Sequence, residues 1–97
     1  VNAEIFLDTL KHSDPPDNLS LALAALWWDA KGDWAKAHEH AQQENGRDGA
    51  WVHAYLHRKE GDVSNADYWY GRAGKRRPKS SSEVEWREIV EVLLKKN

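Results

Sequence analysis

Two short punctuation marks constrain this chain more than any other feature in it. Gly32-Asp33 recurs as Gly61-Asp62, 29 residues further on. A glycine supplies the left-handed residue that closes one helix, and the aspartate that follows accepts hydrogen bonds from the first turn of the next. Each pair therefore joins two antiparallel helices with almost no loop. At the same offset Ala25 matches Ala54 and Ala37 matches Ala66. Alanine belongs where two helices cross closely, because a larger side chain there would hold them apart. The chain reads as a helical hairpin written twice.

The remaining punctuation fits that plan. Asn2 is placed to cap a first helix running to about Lys11, and the loop from His12 to Asp17 carries Pro15 and Pro16, which disfavour helix. Asn18 is expected to cap a helix over 19–31 and Asp33 one over 34–44, with Asn45-Gly46 as a turn. Asp48 is expected to open a helix over 49–60, and Asp62 or Ser64 one that ends at Ala73 before Gly74. Ser82 with Glu85 spells a capping box for a final helix that puts Trp86, Ile89, Val90, Leu93 and Leu94 on one face. Alternation of period two never persists, so the fold class is all-α. We expect a compact bundle of five to six antiparallel helices in a single domain. Hairpin-like repeats occupy 19–44 and 48–74, a basic linker 75–81 and a capping helix 82–96. The first and last helices are expected to close the open ends of the hairpin pair.

Composition decides what holds such a bundle together. Leu, Ile, Val and Phe supply only 18 of 97 residues, but six Trp, three Tyr and twelve Ala supply the missing apolar area and the close contacts. The absence of Cys excludes disulfides, thiolate catalysis and Cys-based zinc sites. Net charge is −2, divided as −5 over residues 1–49 and +3 over 50–97. Without a concentrated basic surface, no nucleic acid partner is expected. The apolar run over 19–28 is too short to cross a bilayer, and no secretory signal is visible, so no membrane is expected and the compartment reads as cytoplasmic. The chain opens on Val1 and has no Met, which reads as processed or trimmed ends.

Gly32-Asp33-Trp34-Ala35-Lys36-Ala37 resembles the inter-helix turn of the tetratricopeptide repeat. Gly61-Asp62-Val63-Ser64-Asn65-Ala66, followed by Tyr70, Ala73 and Pro78, is similar to it as well. The resemblance covers residues 19–78 and implies stacked helical hairpins that bind peptides or proteins. It departs from that family in a repeat of 29 residues rather than about 34, and in lacking the Leu-Gly pair of the first helix. The segments over 51–62 and 68–74 also resemble those of a group of small microbial proteins, a likeness that implies no activity.

Three constellations are candidates for chemistry. With about 100° per residue, His57 and Glu60 lie roughly 40° and −20° from His53 on one helical stripe, the arrangement of a three-ligand metal face. His38 or His40 from the neighbouring helix is a candidate fourth ligand. Ala54 stands where the metalloprotease motif requires Glu. Tyr68-Trp69-Tyr70 with Arg72 offers a stacking and cation–π surface, and three consecutive aromatics cannot all face inward on one helix. Lys75-Arg76-Arg77-Pro78-Lys79 is a solvated linker or a grip for phosphate, an acidic partner or an anionic membrane. Arg58, Glu60, Asp62 and Asn65 around the Gly61 turn read as caps and hairpin-locking salt bridges.

No nucleophile elbow, phosphate loop or triad spacing is present, so no catalytic residue is assigned and no cofactor is expected. The leading expectation is a non-enzymatic module that binds a protein or peptide in a helical groove near Arg58, Tyr68, Arg72 and the basic linker. The second is a small metal-dependent or His-based enzyme centred on His53 and His57. The third is a homodimer that hides its exposed aromatics at the self-contact.

Overall fold

Three glycines with positive φ divide the chain into its hairpins. Gly32, Gly61 and Gly74 sit at φ values of 86°, 91° and 72°. At each, the glycine N–H donates three residues back and the next N–H donates five residues back. The five-residue pairs are Asp33 to Trp28, Asp62 to His57 and Lys75 to Tyr70. This double bond closes the helix and satisfies carbonyls that would otherwise be orphaned.

A computed structural model describes residues 2–96, and every regular element among them is helical. Helix α1 (Ala3–Asp8) runs into a 3-10 turn (Thr9–Lys11). The others are α2 (Leu21–Ala30), α3 (Trp34–Gln43), α4 (Arg47–Glu60), α5 (Val63–Ala73) and α6 (Ser82–Lys96). The all-α bundle expected from the sequence is thus observed. Helices α2 and α3 form one hairpin and α4 and α5 the other, and α3 packs on α4. Ala25, Ala37, Ala54 and Ala66 are all fully buried at the crossings. Among the described residues no helix is long and apolar enough to cross a membrane.

Several capping expectations are confirmed and others corrected. The side chains of Asn2, Asp33 and Asp62 cap α1, α3 and α5 as expected. Asn18 does not cap α2; it adopts a left-handed φ of 66° and the helix starts later, capped by Ser20. The fourth helix begins at Arg47, before Asp48, and its N-cap Gly46 brings no side chain. The Ser82–Glu85 capping box does not form. Ser81 accepts the N–H of Val84 instead, and Glu85 turns into the core.

That inward turn explains where α6 goes. The helix does not close an end of the hairpin pair, as a solenoid cap would; it lies across α2 and α4, and α1 packs on it in turn. The Trp86 indole N–H donates to the Leu26 carbonyl at 3.0 Å. Glu85, 2 % exposed, holds the Arg58 guanidinium at 2.8 Å, with the Tyr70 hydroxyl 2.7 Å from both of its oxygens. Arg58 also donates to the Ser80 carbonyl. A second buried carboxylate, Asp29, accepts from the Tyr55 hydroxyl at 2.7 Å and pairs with Lys59 at 3.0 Å. Burial and the adjoining carboxylates push both tyrosine hydroxyls well above their ordinary range, so both stay protonated and donate.

Removing one member of a buried ion pair leaves the other charge uncompensated, which costs several kcal/mol. Arg58→Met is therefore expected to destabilise the fold by about 2–4 kcal/mol in urea unfolding followed by circular dichroism. Lys11→Ala, at the exposed pair with Asp8, is expected to leave the midpoint unchanged.

Candidate functional site

Helix α4 is surrounded by α2, α3, α5 and α6, so all of its residues from Gly49 to His57 are buried. Two of those nine are histidines. His53 is 6 % exposed and His57 9 %. Helix α3 presents Trp34, Ala37, His38 and Ala41 towards them, positions three and four apart that share a face. Helix α5 brings Trp69.

The result is a column of rings. Trp69 stacks on His53 with centroids 4.0 Å apart, and His53 stacks on His57 at 4.9 Å, both pairs inclined by 24°. His38 meets the two histidines edge-on at 4.6 and 5.5 Å, and Trp34 stacks on its outer side at 4.7 Å. The Nε2 atoms of His38 and His53 lie 2.9 Å apart, a hydrogen bond in which one ring donates and the other accepts. One nitrogen from each of the three imidazoles falls within 4.8 Å of the others. The buried Nδ1 of His57 has no hydrogen-bond partner, and the Asp62 Oδ2 stands 3.8 Å from it.

Desolvation lowers the pKa of His53 to about 4, and the neighbouring His38 and His57 push it the same way. His38 is lowered as well, by burial first and His57 second, with Glu60 opposing. At neutral pH these two rings are uncharged, with lone pairs available. Among the described residues the hydrogen bond given for these rings is the one between His38 and His53.

Of the stripe read from the sequence, His53 and His57 come together with His38, the candidate from the neighbouring helix, and Glu60 does not join them. Glu60 is exposed beside Trp34 and Lys59, and His38 takes its place. His40 stands apart, with its Nδ1 on the Lys36 carbonyl at 2.7 Å. The signal for His38 was its spacing of four from Trp34, which pairs the two rings, and of three from Ala41. Nothing in the sequence singles out Trp69 as the cover of His53.

Beside the column opens a cleft of about 370 Å³, lined among others by Arg47, Gly49, His53, Trp69 and Arg72. Tyr68 is 56 % exposed, and its hydroxyl accepts from Arg72 at 3.1 Å, whereas Tyr70, two positions on, is fully buried. Arg72 also lies over the Trp69 ring at 5.4 Å. Arg58 does not join Tyr68 and Arg72: it points to the opposite face of α5 with Tyr70 and is held there by Glu85. The basic linker likewise keeps to the Tyr70 side, where Arg77 pairs with Asp67 and a separate hollow lies between Gly71 and Lys75–Lys79.

No family model, curated protein or solved structure matches the chain. The site is therefore read from its chemistry.

His53 stays neutral in the fold down to about pH 4 but protonates near 6.5 once unfolded. Stability from such a group is complete above the unfolded value and is lost as pH falls towards the folded one. Between pH 7.5 and 5 the loss is expected to be on the order of 2 kcal/mol. Urea midpoints at the two pH values measure it, and His53→Gln is expected to shrink the difference.

Proposed function

We propose that this chain is a non-enzymatic interaction module, tetratricopeptide-like in its hairpin logic, that binds an acidic peptide segment of a partner protein. The binding surface is the outer face of α5 together with the cleft at the α3–α4 corner. Arg58, which the sequence suggested for this surface, is assigned instead to holding α6.

The observation that carries the reading is the pairing of cation and aromatic with no carboxylate salt-bridged to either arginine. Arg47 and Arg72 line one cleft with Trp69, and neither has a carboxylate partner among the described residues. Glu44, also on the rim, is occupied by the Ala22 N–H of α2. Tyr68 adds an exposed ring that Arg72 holds in place. Tyrosine, tryptophan and arginine are the residues that most often dominate binding energy, because they bury large area and donate directed hydrogen bonds. The α4 N-terminus at the same cleft has no side-chain cap, so its first N–H groups add positive potential. An acidic segment with one aromatic or aliphatic anchor satisfies all of these groups together.

The test is fluorescence anisotropy with labelled heptapeptides of Asp and Glu around a single Phe. Saturable binding is expected, weakening linearly in log–log fashion with salt. Arg72→Ala and Tyr68→Ala should each weaken it about tenfold, roughly 1.4 kcal/mol, with circular dichroism unchanged. Wild-type affinity in both variants, or equal binding of a lysine-rich analogue, would remove this surface from consideration.

A further inference from the structure

We propose that His38, His53 and His57 form a binding site for a divalent transition metal of the zinc type. This goes beyond the peptide-binding reading and stands on the imidazole nitrogens, which that reading does not use.

The first support is convergence. Two histidines four apart on one helix are common, but a third from the facing helix brings three ring nitrogens within 4.8 Å of one another. Ligands about 2.0–2.1 Å from a tetrahedral zinc ion sit roughly 3.3 Å from each other. The His38–His53 pair stands at 2.9 Å, inside that spacing, and the His57 nitrogen has to close from within 4.8 Å.

The second support is an unmet polar atom. His57 is nine-tenths buried and its Nδ1 makes no hydrogen bond, a costly state for a polar atom removed from water. Asp62 stands 3.8 Å away, just beyond hydrogen-bond reach. Metal-bound imidazoles commonly set their second nitrogen against such a carboxylate, which fixes the tautomer and raises the basicity of the ligating nitrogen. Asp62 is itself held by the backbone N–H and the side-chain amide of Asn65. A slight tilt of the His57 ring gives that nitrogen its partner.

The third support is rigidity and chemistry of the donor set. Trp34 and Trp69 clamp the column from both sides, and the α4 backbone beneath is buried along its length. Imidazole nitrogens suit zinc, copper(II), nickel and cobalt(II), and a chain without Cys or Met offers no soft sulfur to favour copper(I). Three protein ligands leave a fourth position for water or a small ligand, and His53 borders the cleft through which an ion can enter.

The experiment is calorimetric titration of the full chain, dialysed against chelator and then buffer at pH 7.4, with zinc chloride and separately with cobalt(II) chloride. One equivalent is expected, with a Kd of about 10 µM or tighter. His38→Gln and His57→Gln should each weaken binding at least tenfold, while His12→Gln and His40→Gln leave it unchanged. Proton NMR of the wild type provides a readout that needs no variant: zinc should move the ring signals of His38, His53 and His57 together and spare those of His12 and His40. No saturable uptake below about 1 mM metal, or shifts confined to His12 and His40, would overturn the proposal. Such a result would leave the three rings as a packed, stacking cluster.

Discussion

Everything else in this molecule depends on α4 being approached from four sides at once. Ala54 carries no side chain beyond Cβ, and its counterparts Ala25, Ala37 and Ala66 are equally bare and equally buried. The helices can therefore close around α4 until the larger rings on either side interlock. A helix packed this way has no solvated face along its middle, so a polar group placed there depends on other side chains, and the His57 Nδ1 is left without a hydrogen bond. His53 answers with His38, Tyr55 with Asp29, and Arg58 at the rim with Glu85. The candidate site is a direct consequence of that enclosure.

The two hairpins share a backbone plan but not a chemistry. At the offset of 29, Trp28 corresponds to His57, and the carbonyl of each accepts the same five-residue turn bond, from Asp33 and Asp62. In the first hairpin the position holds a half-buried indole under the Lys36 ammonium. In the second it holds an imidazole facing two others. Asp29 and Arg58 are likewise equivalent in position and opposite in charge; Asp29 is buried and Arg58 half-buried, each against a partner from elsewhere. The repeated turn fixes geometry, and the side chains hung on it are free to diverge.

Local signals made the fold legible. Positive-φ glycines, aspartate caps and alanine crossings act within a few residues, so Gly32-Asp33 and Gly61-Asp62 could be read directly. The placement of α6 could not. Glu85 looked like a capping residue because it follows Ser82 by three, yet a carboxylate is worth more against Arg58 and Tyr70 in the core than against one exposed N–H. Half of the site was legible for the same reason: His53 and His57 share one helix, so their spacing shows. His38 belongs to another helix, and only the α3–α4 packing angle decides whether it or Glu60 faces the pair. Arg58 and Tyr68 looked like neighbours in sequence logic, but the 200° between Tyr68 and Tyr70 on α5 puts them on opposite sides.

The buried Arg58–Glu85–Tyr70 group has a consequence for the order in which the chain becomes a protein. Helices α2 to α5 leave the ribosome before α6, and until α6 arrives Arg58 and the Tyr70 hydroxyl lack the carboxylate that satisfies them. The Leu26 carbonyl and the apolar flanks of α2 and α4 likewise wait for Trp86. The paired hairpins are thus an unfinished surface during synthesis, sticky and polar at once. Docking of α6 supplies the carboxylate and the indole together, so the hairpins reach their full set of partners only with the last helix in place.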